Sequence, residues 1–389
     1  MMKTAAGAVA AVVIFACAML VAFVLPHPQY TPDGMVYARY AAHDAGLSER
    51  DATLAVRTFY ERTPLMKVPR YRALVEIDPS LAFARSHIFS NRILYPALVA
   101  PLLRPSGFRA LWLVSALSYV AFGVSLLVLL WAFVGPWLAA TLTIAALALP
   151  LTRTAAASDL TDMLALFWWT LALAAIVHGT RDRRRTWALV AAAASVLLAL
   201  TRPAPYLTVL PAAAAAIVSG AWALLWAPVC GIVSYAIVAA AVHAFGVAQQ
   251  LDWVYAQRPA SERNVAEGVW YRSSLAGAIK YTVIESVRTI LPVAAFVAWV
   301  ISVRTAQTRR DAIVLAAAAA ACAIAVPFNP VPSSIDRVVF LPLIPVFFAA
   351  LACAARSLRV SEPLERAPDI RLYRRSAPVY SHRPLDRSG

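Results

Sequence analysis

TAAGAVAAVVIFACAMLVAFVL, residues 4–25, is an uncharged apolar run that stops at Pro26. Its length matches the roughly 20 residues a helix needs to cross the hydrocarbon of a bilayer. Ile14-Phe15-Ala16-Cys17 has the faint look of a lipoprotein cleavage site. The run nevertheless continues apolar to Leu25, past the about 7–15 residues of a signal-peptide core. It reads as a retained first transmembrane helix. Directly after it comes Thr31-Pro32-Asp33-Gly34-Met35-Val36-Tyr37. Gly34 to Ala45 reads as a short amphipathic helix stopped by Gly46, with Asp33 as its N-cap. A carboxylate so near the lipid boundary is costly unless something uses it.

The composition agrees with that opening. The 389 residues are 61% hydrophobic and 14% charged, with a mean hydropathy of +0.68. A soluble domain carries about 25% charged residues. The fold class is therefore an all-α, polytopic transmembrane bundle. The net charge of +15 lies mostly in loops and tail, where membrane orientation and anionic headgroups explain it better than nucleic acid does. Cys17, Cys230, Cys322 and Cys353 lie in apolar segments without metal-like spacing and read as small buried hydrophobes.

Further along, residues 26–107 form a polar, Arg- and Tyr-rich first outer loop, with a helix start at Ser48-Glu49-Arg50-Asp51. Ser90-Asn91-Arg92-Ile93-Leu94-Tyr95-Pro96 leads into the apolar stretch Ala97 to Leu103. Ala110 to Phe133 and Trp137 to Leu151 read as a hairpin turned at Gly135-Pro136, followed by a loop from Thr152 to Asp162. Met163 to Val177, Trp187 to Leu200, Tyr206 to Val218 and Trp222 to Phe245 follow. After a second polar loop at 248–280 come Tyr281 to Val303, Ala312 to Val326 and Val339 to Ala354. The total is about ten spans, several of them shorter than the usual length of about 20 residues. Residues 1–356 make one transmembrane domain, and 357–389 an Arg-rich tail with the composition of a disordered segment.

Orientation follows from the short loops. Arg181 to Arg185, Arg304 to Arg310 and the tail from Arg356 fall on one side, which the positive-inside rule makes cytoplasmic. Both termini are then inside, in a plasma or inner membrane. Asp33, Arg92, Tyr95, Asp159, Asp162, Arg202 and Asp336-Arg337 gather on the outer side. The inner side has no Gly-rich phosphate loop or dinucleotide fingerprint. An enzyme built this way would draw its energy from an activated group already outside, most naturally a lipid-linked one.

On these residues the chain resembles the GT-C superfamily of polyprenyl-phosphate-sugar-dependent, mannosyltransferase-like glycosyltransferases. The resemblance rests on a first span, a long outer loop opening with Asp33 to Tyr37, and an Arg-x-x-x-Pro segment at Arg92 to Pro96. It implies that Asp33 is the catalytic base and that the donor is a lipid-linked sugar. The family often has two adjacent acidic residues there, whereas this chain has Asp33-Gly34, so a second carboxylate and a metal site built on it do not carry over. No metal ligands are assigned, and the cofactor is unknown.

The chemistry of such a transfer needs a carboxylate to take the acceptor's proton and arginines to hold a phosphate leaving group. Arg92 and Arg202 are the candidates for the phosphate. Tyr37, Tyr95, Asp159 and Asp162 are candidates for sugar or acceptor, the two aspartates also for orienting Arg202. Each has a plainer alternative. Arg92 and Arg202 fit interfacial anchors, and Asp159 and Asp162 fit caps of the following span. His27 and His43 have no partner at metal spacing. Glu285 and Arg288 read as a pair within a span, and the loop from Asp252 to Tyr271 as part of an aromatic belt. A lipid or solute transporter, or a non-catalytic scaffold, is the competing class.

Overall fold

The computed structural model describes residues 2–67, 89–242, 290–324, 337 and 340–361. The loop from Asp252 to Tyr271, Glu285, Arg288, Asp336 and the tail after 361 lie outside these residues. The described part is all-helical. The first helix, α1 (Met2–Met19), is extended by a π-helical turn, Leu20–Val24. Two short helices follow, α2 (Pro32–Asp44) and α3 (Glu49–Tyr60). Then come α4 (Leu94–Ser106), α5 (Ala110–Trp131), α6 (Pro136–Ala148) and α7 (Pro150–Ala157). The central pair is α8 (Asp162–Asp182) and α9 (Arg185–Thr201), joined to α10 (Val209–Ser219) and α11 (Trp226–Ala241). The chain closes with α12 (Ile290–Arg304), α13 (Ala306–Ile324) and α14 (Leu341–Ser361).

Among the described residues five helices are long and apolar enough to cross a membrane, or six if a bent pair counts as one span. Three shorter apolar helices stand beside them, so the described helices do not reach the ten spans expected from sequence. The bent pair is α6 and α7, which meet at 64°. Leu149 sits at φ −57 and ψ 136 before Pro150, the extended conformation that proline imposes on its predecessor. The sequence placed a loop from Thr152 onward; α7 occupies that stretch instead.

Outward-facing side chains such as Ile14, Leu189, Ile217, Ile237 and Phe296 are well exposed, as lipid-facing positions must be. Inside, several hydroxyls are satisfied within their own helix. Ser118, Thr143, Thr170 and Thr180 each donate to the carbonyl four residues back. This lets a polar side chain sit in an apolar interior at little cost.

The two ends of the bundle differ. At one, the far end, helices turn tightly at Gly135, Arg183 and Gly220, the last two in the left-handed region at φ 52 and φ +69. The N-terminal part of α1 lies there too, with Gly7 against Trp137. Exposed Arg183, Arg184, Arg185, Arg304, Arg309, Arg310 and Arg359 cluster at this end. The opposite end holds the first turns of α5 and α8. There α2, α3 and α4 form a separate apolar cap with Tyr37, Tyr60, Tyr95, Leu111, Trp112 and Leu164 in its core. The spacing of Ala52, Val56 and Tyr60 on α3 puts all three on the buried face.

Candidate active site

The cap is seated by its own backbone. Gln29 pairs with Ser158 in an isolated parallel bridge, and its N–H donates to the Ala157 carbonyl at 2.8 Å. Trp112 Nε1 donates to the Gln29 carbonyl at 3.3 Å. The chain then turns into α2. Thr31, not Asp33, is the N-cap: its Oγ1 accepts from the Gly34 N–H at 2.9 Å, with Pro32 in the first turn. The capping expectation for Asp33 is thereby corrected. Threonine two residues earlier has the extended backbone a cap requires, at φ −127 and ψ 154. Asp33 sits inside the first turn, where the helix dipole favours its charge. Its carboxylate is left for other contacts, and the side chain is 34% exposed.

Asp159 and Asp162 stand three residues apart and have different surroundings. Neither caps α8; Thr161 holds that position, without a side-chain bond. Asp159 is fully buried. Its Oδ1 accepts from Thr31 Oγ1 at 2.7 Å, and its Oδ2 from the Thr31 N–H at 3.2 Å and Tyr60 OH at 2.6 Å. Burial raises its pKa to about 7 in spite of these bonds, which favour the ionised form. Burial likewise raises the Tyr60 phenol, and the neighbouring Asp159 charge adds to that rise.

Asp162, the first residue of α8, is 2% exposed and held by two arginines. Arg202 NH1 pairs with its Oδ1, and Arg337 Nε donates to its Oδ2 at 2.5 Å. Arg337 NH1 also lies 3.6 Å from Asp33 Oδ2. One guanidinium thus spans both carboxylates. Arg92 reaches the same region differently: its NH1 donates to Tyr37 OH at 2.5 Å, and its guanidinium lies 4.6 Å above the Phe89 ring. Its Nε is buried without a partner. Tyr37 and Tyr95 are fully buried, their rings 5.4 Å apart. Tyr95 OH donates to the Leu111 carbonyl at 2.8 Å.

The structure therefore brings all seven candidates, Asp33, Tyr37, Arg92, Tyr95, Asp159, Asp162 and Arg202, to one end of the bundle. They separate there into two layers. Asp33, Asp162 and Arg202 surround Arg337, whereas Tyr37, Tyr95 and Asp159 lie behind them, enclosed by protein, with Arg92 bonded to Tyr37. Arg337 was missed as a site residue. Its signal in the sequence was only a charge pair, Asp336-Arg337, on the outer side before the last span.

A cleft opens from the arginines. It is lined by Asp162, Arg202 and Arg337 at one end and by Leu166, Trp169, Leu198, Leu207 and Leu341 along its walls. Its cavity volume is about 30 Å³, and it opens to solvent. Residues 162, 165, 166 and 169 share one face of α8, so the apolar wall descends about 10 Å along that helix from the charged end. Trp169 Nε1 donates to the Pro342 carbonyl at 2.9 Å and fixes the far wall to α14. In charge terms, Arg92, Arg202 and Arg337 face Asp33 and Asp162, which leaves one positive charge in excess. An amphiphile with an anionic head and a hydrocarbon tail matches that layout.

Among the described residues, no group of three or more His, Cys, Asp or Glu side chains is placed to hold a metal ion. No protein-family model, curated protein or solved structure matches the chain.

Proposed function

We propose that the chain is a membrane transferase that takes a sugar from a polyprenyl-phosphate-linked donor and passes it to an acceptor hydroxyl. The observation that carries this reading is a half-exposed carboxylate, Asp33, 3.6 Å from an arginine at the charged mouth of an apolar cleft. In the reaction, Asp33 takes the proton of the acceptor hydroxyl as its oxygen attacks the anomeric carbon. The bond from that carbon to the phosphate oxygen breaks, its electron pair leaves with the phosphate, and configuration inverts. Arg202 and Arg337 receive the leaving phosphate, for which a planar guanidinium is well shaped. Asp162 keeps both arginines oriented when no donor is bound. The isoprenoid lies along the Leu166, Trp169 and Leu198 wall.

The proposed arrangement has about ten spans in a cell membrane, with both termini and the arginine-rich far end cytoplasmic and the cleft opening outside. The seven exposed far-end arginines support that orientation. The test is transfer from radiolabelled polyprenyl-phosphate sugars in membranes carrying the wild-type chain or Asp33→Asn. Loss of transfer in the variant is expected. Equal transfer by both removes Asp33 as the base, and no transfer by wild type with any donor overturns the reading in favour of transport or a scaffold.

A further inference from the structure

We infer that Asp159 is a positioning residue that locks the first turn of α2, and with it Asp33, onto the loop between α7 and α8. The inference rests on the transferase reading for its catalytic consequence, and on hydrogen-bond direction and space for the lock itself. A threonine hydroxyl has one proton. Thr31 donates that proton to Asp159 Oδ1 at 2.7 Å, which turns a lone pair toward the Gly34 N–H at 2.9 Å. The carboxylate thus fixes the sense of the cap as well as its place. A second oxygen holds the Thr31 N–H and Tyr60 OH, so α2 and α3 are tied to one group.

Space gives the second argument. A Cβ built on Gly34 would stand 2.0 Å from Asp159 Oδ2 and 2.1 Å from its Cγ. The Asp159 carboxylate fills the volume that any side chain at position 34 needs. Glycine at 34 and aspartate at 159 are therefore one feature written at two distant places in the chain. This accounts for Gly34 following Asp33: the carboxylate beside that turn comes from the α7–α8 loop. Asp159 is fully buried with both oxygens engaged, so its effect on chemistry passes through the placement of Asp33, two residues beyond Thr31. A displacement of about 1 Å at a reacting group is enough to lower a rate about 100-fold.

The experiment joins a thermal-unfolding cycle to kinetics, on the full-length chain in detergent or nanodiscs. Gly34→Ala and Asp159→Ala are each expected to lower Tm, while the double variant unfolds no earlier than Asp159→Ala alone. Additive losses overturn the interlock. In transfer assays, Asp159→Ala is expected to lower kcat up to about 100-fold with KM for the donor unchanged. Asp159→Asn, whose amide oxygen still accepts from Tyr60 and the Thr31 N–H, is expected to restore most of the rate. A raised KM with kcat intact shows substrate contact at Asp159 and overturns the positioning role. If wild type transfers nothing, the transferase reading falls and takes the kinetic half of this assignment with it. The unfolding cycle then decides the interlock alone.

Discussion

The two ends of the bundle each hold a buried aspartate between two arginines. At the cleft, Asp162 pairs with Arg202 and Arg337; at the far end, Asp311 pairs with Arg181, NH2 to Oδ2 at 2.5 Å, and with Arg356 at 4.0 Å. Both aspartates are nearly inaccessible, and in both triads one charge is positive in excess. The surroundings differ. Arg356 also donates to the Ala132 carbonyl at 3.3 Å, and Arg181 lies 4.8 Å over the Phe133 ring, so the far-end arginines bind helix ends together. At the cleft, Arg337 turns its second face to a half-exposed carboxylate, and an apolar wall begins beside it. A buried Arg–Asp–Arg triad is thus not in itself a mark of function. What distinguishes the cleft is a partly exposed carboxylate, Asp33, and an apolar wall next to the triad.

The sharpest way to break this comparison is to remove each central carboxylate. Asp162→Ala and Asp311→Ala each take a buried carboxylate from between two part-exposed arginines, a loss of at most the about 3–5 kcal/mol of a fully buried pair. Thermal unfolding should show both variants strongly destabilised; a mild loss at Asp162 alone would mean its arginines are already solvated. Asp33→Asn comes next. It should lower transfer by about 100-fold or more, the usual contribution of a general base, with Tm close to wild type because Asp33 neither caps α2 nor is buried. A drop in Tm matching that of Asp162→Ala would make Asp33 structural.

Swapping arginine for lysine sharpens the contrast further. Arg202→Lys should weaken retention of a lipid phosphate by about tenfold, since lysine lacks the planar fork, while Arg356→Lys should lower Tm and leave retention alone. Binding of a fluorescent isoprenyl phosphate to nanodiscs reads the difference. The smallest effect concerns pH. The folded pKa of Asp159 is raised to about 7 from an ordinary 3.8, so the folded state holds a proton that the unfolded chain releases earlier. Its contribution to stability is present below about pH 4 and is lost as pH rises through 7. Tm of wild type relative to Asp159→Asn should accordingly fall between pH 5 and pH 8 by these values. A constant difference across that range removes the titration from Asp159.

The residues of the cleft end were legible because charges at the edges of apolar runs are conspicuous, and alternating spans sort them to one side. Asp33, Arg92, Asp159, Asp162 and Arg202 could be gathered that way. Their pairing could not. Asp33 reads as the cap of α2, yet Thr31 takes that place, its hydroxyl held by Asp159 more than a hundred positions away. Asp311 drew no notice because its arginines come from α8 and α14, far from it in the chain. Pro150 and Pro205 begin helices shorter than a span, Pro150 at a 64° bend, which the apolar runs do not reveal.

Composition and charge placement, then, determined an all-helical chain with membrane-length apolar helices and the end at which its unusual charges collect. Those properties depend on each residue's own polarity and on helical length, which a linear sequence carries. Tertiary structure alone decided which arginine faces Asp33, that Asp159 holds the Thr31 hydroxyl, and that Asp159 fills the space above Gly34. Each of these is a contact over a few ångströms between segments distant in the chain, and local preference does not choose among such partners.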